Sequence, residues 1–214
     1  NWEQKHAPLA YRFQRWLLKN QSQKVTINGK WKKQPSHCLT FENPCLTSEE
    51  LSEGRKVIEH KSLEQTGINF CFVGRLEEQK GIGILIEALS TLSPNEKSKL
   101  DTFHIVGNGS AINNYKAQAK KSGLNIIFHG VLSRKHVHEI YNISHAIILP
   151  SASEGFPKVI SEAMNYGCLP IVSNVSAIGN YIKDGHNGFL LNTITIEIIL
   201  IAIRKVLELS ELDY

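Results

Sequence analysis

No apolar run in this 214-residue chain approaches the ~18 residues that a membrane-spanning helix requires. Cysteine is scarce, and Cys38, Cys45, Cys71 and Cys168 form neither a CxxC pair nor a metal-ligand spacing. Cys71 and Cys168 fall in apolar runs, where a thiol behaves as a small hydrophobe, so the four read as reduced and intracellular. Internal repeats and low-complexity tracts are missing. The opening Asn-Trp-Glu-Gln-Lys-His is no signal peptide, and without an initiator Met the sequence reads as a piece of a longer protein. An excess of one charge is missing too. The net +4 is too mild to imply nucleic acid and is compatible with an anionic substrate or a weak approach to an anionic membrane. What remains is a composition of 42% hydrophobic and 21% charged residues, that of an ordinary globular protein able to bury one good core with an appendage.

Apolar periodicity organises residues 67–209. Short apolar runs at 69–73, 102–106, 125–129, 145–149, 169–173 and 188–191 read as strands. Between them, 83–92, 111–122, 134–143, 157–166 and 195–209 carry apolar residues at three- and four-residue steps, as amphipathic helices do. Ile82, Leu85, Ile86 and Leu89 are expected to form one buried face. Such alternation predicts an α/β fold, a Rossmann-like parallel six-stranded sheet with helices on both faces. Open sheets of this kind bind ligands at the carboxyl ends of their strands, and the motifs at 74–81, 107–109, 130–133 and 150–157 all follow strands. The first 66 residues differ: 9–18 reads as an amphipathic helix, 24–31 as a strand, 35–44 as loop and 49–61 as a charged helix.

Two glutamates carry most of the information. Glu154 and Glu162 have seven residues between them in the run 153–163. Pro157 suits the first position of a helix, which leaves Glu154 in the preceding loop and Glu162 more than a turn in. A helix N-terminus between two carboxylates can hold an anion flanked by two hydroxyl-bearing groups, the layout of ribose, diphosphate and hexose in a nucleotide sugar. The apolar neighbours Ile160, Ala163 and Met164 place Glu162 on a largely buried helix, where an unpaired carboxylate is costly. Upstream, Arg75 offers a planar fork of donors and Lys80 a point charge, a pair suited to a diphosphate. Taken alone, the two read as surface cations beside Glu77 and Glu78, because short motifs match by chance; the glutamate pair downstream reverses that reading.

Glu154-Gly155-Phe156-Pro157 with Glu162, together with Gly74-Arg75-Leu76 and Lys80-Gly81, resembles the C-terminal lobe of retaining GT-B glycosyltransferases of family 4, over residues 67–209. The resemblance implies a nucleotide-sugar-binding domain at 67–214, preceded by a connecting strand and linker at 23–66 and a remnant of the N-terminal lobe or hinge at 1–22. It implies transfer of a hexosyl group from a nucleoside diphosphate sugar to an acceptor hydroxyl with retention, in glycan or cell-envelope polysaccharide biosynthesis. Arg75, Lys80 and Glu154 become the catalytic residues, the cations on the diphosphate and Glu154 on the transferred sugar. Glu162 takes the ribose hydroxyls. Donor binding further involves Gly74, Gly107 and Gly109, the backbone of Val131 and Leu132 against the nucleobase, and Gly155, Phe156, Pro157 and Lys158 around sugar and phosphate. No cofactor and no metal are expected, since Arg and Lys stand where DxD-containing transferases use a metal and this chain has no DxD. The implied partners are the donor and a sugar or lipid-linked acceptor held by the missing lobe. The implied location is cytoplasmic, with peripheral membrane association of the full-length protein left open.

Other patterns carry less. Gly107-Asn108-Gly109 lacks the third glycine of a dinucleotide fingerprint, with Ile112 at that position, and Asn108 stands where the family more often has an acid. His129, His136, His138 and His145 have no carboxylates to complete a shell. Asn180 replaces the Glu common in the family's next loop. A sugar-nucleotide epimerase, a phosphorylase and a non-catalytic nucleotide-sugar-binding module remain as alternatives. The nucleotide, sugar, acceptor and oligomeric state are not legible.

Overall fold

The computed structural model describes residues 8–28, 33–41, 45–63, 67–154, 157–210 and 214. The chain opens with helix α1 (Leu9–Lys19), followed by strands β1 (Val25–Asn28) and β2 (Cys38–Phe41) and helix α2 (Ser48–Ile58). The strand expected at 24–31 is β1 in its described part, and 29–32 lie outside the described residues. The loop expected at 35–44 is corrected: β2 lies within it and pairs in parallel with β1, Val25 opposite Cys38. Pro35 lies just before this short strand, and the pairing that makes it a strand comes from another segment.

From residue 68 onward the expected alternation holds. Strand β3 (Ile68–Val73) leads to α3 (Ile82–Ser90), α4 (Pro94–Lys99), β4 (Leu100–Val106), α5 (Ile112–Lys121) and β5 (Ile126–Gly130). Then come α6 (Arg134–Ile143), β6 (Ala146–Leu149), α7 (Lys158–Asn165), β7 (Leu169–Ser173), β8 (Phe189–Leu191) and α8 (Ile196–Leu207). Helix α4 is an addition to the sequence reading. Its polar residues show no apolar stripe, but its start carries a capping box: Ser93 Oγ accepts from Glu96 N, and Glu96 Oε2 accepts from Ser93 N at 2.7 Å.

The six strands are all parallel, in the order β5-β4-β3-β6-β7-β8. Strand β3 is buried along its whole length, because alternate side chains enter cores on opposite faces. Phe70 and Phe72 join Phe103 and Ile105 beneath α3 and α8, where Ile82, Leu85, Ile86 and Leu89 form the expected face. Cys71 and Val73 point the other way, among Tyr141, Ile147 and Tyr166 of the α6–α7 side. The chain winds outward in one direction from β3 through β4 to β5 and in the other from β6 to β8. Between β3 and β6 the order reverses, and open sheets of this kind carry their ligand crevice at such a switch point. That crevice positions the site.

Candidate functional site

The loop after β3 begins with Gly74, whose N–H donates to Val106 O at 3.0 Å, and Leu76 N then donates to Asn108 O at 2.9 Å. The β3 and β4 loops thus continue side by side beyond the sheet. Gly107 has φ +134°, and a Cβ there would sit 1.8 Å from Gly74 O; at Gly109 it would sit 2.2 Å from Leu76 O. Both positions require glycine for this loop-on-loop approach. Arg75 extends outward, 69% exposed, with Nη1 2.9 Å from Glu77 Oε1.

A single 3₁₀ turn (Glu78–Lys80) ends at Gly81, in the left-handed region at φ +73° and packed on Pro150 O. Ala152 N donates to Gln79 O at 2.8 Å, which ties the β6 loop to the β3 loop across the crevice. The consequence is ionic. Lys80 Nζ lies 2.6 Å from Glu154 Oε1, with the side chains 17% and 9% exposed. The Ser176 hydroxyl, on the loop after β7, donates to the Glu154 carbonyl. Three loops therefore converge on one lysine–glutamate pair.

Gly155 and Phe156 lie outside the described residues. Pro157 is the N-cap of α7, with φ −72° and ψ 106°, so the helix starts one residue later than expected, at the exposed Lys158. Glu162 is buried in this helix, as its apolar neighbours imply. Its partner is Arg134, whose Nη1 donates to Glu162 Oε1 at 2.7 Å. Arg134 opens α6, behind an N-cap in which Ser133 Oγ accepts from His136 N. It also donates from Nε to Glu50 Oε1 at 2.7 Å, from Nη2 to Glu50 Oε2 at 3.0 Å, and from Nη2 to Cys45 O. This two-pronged bond is the main reason that the Glu50 carboxyl falls to about 2, and the two carboxylates raise the guanidinium pKa in turn.

The structure thus brings together Lys80 and Glu154, and leaves Arg75 at the solvent end of the same loop. Gly130 turns at φ +71°, beyond which Val131 is 78% exposed and Leu132 packs on the α6–α7 core. Arg134 and Glu50 escaped sequence reasoning. The cost of a buried, unpaired Glu162 signals that some cation must face it, but no local pattern says which. The histidines weighed as ligands have other partners. His136 Nδ1 meets Ser133 Oγ at 2.9 Å, His138 Nδ1 meets the Tyr166 hydroxyl at 2.9 Å, and His145 Nδ1 accepts from Asn69 N at 2.9 Å. His129 Nε2 meets Nδ1 of His104 at 3.0 Å. Among the described residues no group of three or more His, Cys, Asp or Glu side chains could hold a metal ion, and no helix is long and apolar enough to cross a membrane.

A switch point that carries a largely shielded cation–carboxylate pair and an exposed arginine, with a buried carboxylate on the helix that follows, has the chemistry to bind an elongated polar anion bearing hydroxyl groups. The chain is similar to the UDP-Gal:alpha-D-GlcNAc-diphosphoundecaprenol alpha-1,3-galactosyltransferase of Escherichia coli, 30% identical over 67% of this chain and 38% of that protein. It is 34% identical to the lipopolysaccharide 1,6-galactosyltransferase of Salmonella typhimurium, over 56% of this chain and 34% of that one. Among solved structures, the apo lipopolysaccharide outer core galactosyltransferase WaaB matches with TM-score 0.60 and 28% identity, over 67% of this chain and 41% of that one. WaaG, a glycosyltransferase involved in lipopolysaccharide biosynthesis, shares the fold at TM-score 0.67 and 20% identity, over 96% of this chain and 60% of that one. This chain spans under two fifths of the two curated relatives named. Residues 55–213 match the family described as glycosyl transferases group 1, and the chain belongs to that family.

Proposed function

We propose that this domain binds a nucleoside diphosphate sugar in the β3–β6 crevice and, within the full-length protein, passes its hexosyl group to an acceptor hydroxyl with retention of configuration. The observation that carries the reading is the Lys80–Glu154 pair at 2.6 Å across that crevice, with Arg75 on the same loop. The two cations hold the diphosphate and stabilise it as it leaves. Glu154 accepts from hydroxyls of the sugar, and Glu162 from the ribose diol, where a carboxylate can take two hydrogen bonds. With fixed cations on the leaving group, neither a metal nor another cofactor is required. The departing phosphate takes the acceptor's proton on the same face, which leaves the protein the work of positioning and charge stabilisation. The name of the Escherichia coli relative supports a UDP-sugar as the first donor to test, and that of the Salmonella typhimurium relative supports envelope polysaccharide as the product class.

The acceptor, a sugar or lipid-linked sugar, binds a second lobe of the full-length protein; the reaction takes place in the cytoplasm, with the whole protein peripheral to the inner face of the membrane. Titration calorimetry of this chain against UDP-, GDP- and ADP-sugars tests the reading. One nucleotide sugar should bind measurably but weakly, with slow hydrolysis at most, and transfer should appear only when the upstream sequence is restored. Failure of all three to bind overturns it.

A further inference from the structure

Glu162 is held by a chain of contacts that the donor-binding reading does not use. Its Oε1 accepts from Arg134 Nη1 at 2.7 Å, and no other hydrogen bond reaches the carboxylate from the described residues. Arg134 is in turn gripped by both oxygens of Glu50. A guanidinium fixed at three nitrogens fixes the carboxylate it faces, because the fork is planar and both of its edges are engaged.

Glu50 owes its place to helix α2, outside the six-stranded sheet. Within α2 the capping box is reciprocal: Thr47 Oγ1 accepts from Glu50 N at 3.2 Å, and Glu50 Oε2 accepts from Thr47 N at 2.8 Å. Glu50 and Gly54 share one helix face at i, i+4, and Gly54 is the buried residue of α2. A Cβ on Gly54 would lie 2.2 Å from Asn165 O. Asn165 Nδ2 donates to Glu50 O at 2.9 Å. The close approach at Gly54 therefore docks α2 on the end of α7 and delivers the Glu50 carboxylate to Arg134.

We infer that Arg134 and Glu50 are positioning residues for Glu162: they orient one carboxylate oxygen toward the ribose diol of the donor, and through them α2 sets how well this domain distinguishes a ribonucleotide. The inference rests on the assignment of Glu162 to the ribose. It is separable from that assignment, because the role inferred for Arg134 and Glu50 is to act through Glu162 and not on the donor itself.

The readout is the ratio of dissociation constants for 2′,3′-dideoxy-UDP and UDP, measured by calorimetry on the full chain. A hydrogen bond to a charged group sets this ratio at about tenfold or more in the unaltered protein. Glu162→Ala should bring it near one. Arg134→Met and Glu50→Gln should do the same while leaving the dideoxy constant within about twofold, and Arg134→Lys, which keeps the charge and loses the fork, should fall between. A merely structural role would weaken both ligands equally and preserve the ratio, and that result overturns the inference. Thermal melts identify variants that have lost the fold, and Arg134→Lys and Glu50→Gln then carry the test in place of Arg134→Met. If the unaltered chain binds UDP with a ratio near one, or with a ratio that Glu162→Ala leaves unchanged, the ribose assignment fails and takes this inference with it. If Glu162→Ala collapses the ratio and the Arg134 and Glu50 variants keep it, only the positioning role fails.

Discussion

Lys80 Nζ and Glu154 Oε1 stand 2.6 Å apart, joining the loop after β3 to the loop after β6 at the point where the strand order reverses. Each side chain is largely shielded, so each neutralises the other's charge. A diphosphate entering the crevice would share Lys80 with Glu154, and a sugar hydroxyl would meet a carboxylate already oriented by the lysine.

Breaking this pair on one side should destabilise the fold. Glu154→Gln or Lys80→Met leaves an unmatched charge in a shielded site, at a cost of about 2 kcal/mol, below the ~3–5 kcal/mol of a fully buried pair because Lys80 keeps some water. The double variant Lys80→Met/Glu154→Leu should recover more than half of that loss. Urea unfolding of the four proteins measures the coupling, and additive losses would show that the pair is too well solvated to matter.

The two glutamates should report on different parts of the donor. Glu162→Ala is expected to weaken UDP and the UDP-sugar alike, by about 1–3 kcal/mol. Glu154→Ala should weaken the UDP-sugar alone. Equal losses for both ligands in both variants, measured by calorimetry, would remove the assignment.

Arg75 combines 69% exposure with the proposed phosphate role. Arg75→Ala should leave stability within about 0.5 kcal/mol while reducing donor affinity. Added salt should reduce affinity as well, since exposed charge attraction is screened, and chelation by EDTA should leave it unchanged. Affinity that collapses in EDTA and returns with Mg²⁺ or Mn²⁺ would mean that a cation is needed after all.

Acid should weaken the fold through His104. Burial, then the neighbouring His129 at 3.0 Å, lower its pKa to about 4 from an unfolded value of 6.5, and burial lowers that of His129 as well. The unfolded chain binds more protons between those values, so the stabilisation is complete above pH 6.5 and is lost as pH falls toward 4. The loss should be about 1–2 kcal/mol after allowing for water near His129. His104→Asn should flatten this slope, as followed by urea unfolding from pH 7 to pH 4.5. The Glu50 and Glu96 carboxyls, each held at about 2 by its arginine, lose their contributions in a lower window. A slope unchanged by His104→Asn would exclude the histidine pair as its source.

The alternation of β3 through α8 was legible because each element writes its period locally. Apolar residues step by three and four in α3, and β3 is apolar from Phe70 to Val73 because both of its faces are covered. Elements without that signature were missed or misread. Helix α4 is short and polar and declares itself only through its Ser93–Glu96 capping box, and β2 is a strand only because β1 lies beside it. The candidate site divides in the same way. Glu154, Glu162, Arg75 and Lys80 stood out by residue type and spacing after strands. Arg134 did not, since nothing at position 134 distinguishes a surface arginine from one that faces a carboxylate 28 positions later.

The sequence by itself determined the strand–helix alternation, the parallel sheet that follows from it, and the chemistry available at the carboxyl ends of the strands. These are local properties of periodicity, turn-forming glycines and charge. Only the tertiary structure decided which charges meet. Lys80 finds Glu154 because the sheet order reverses between β3 and β6, and Arg134 finds Glu162 and Glu50 because α2, α6 and α7 pack on one face. A charge pair needs its two atoms within about 4 Å, and only the fold sets distances that small between positions 74 and 84 residues apart.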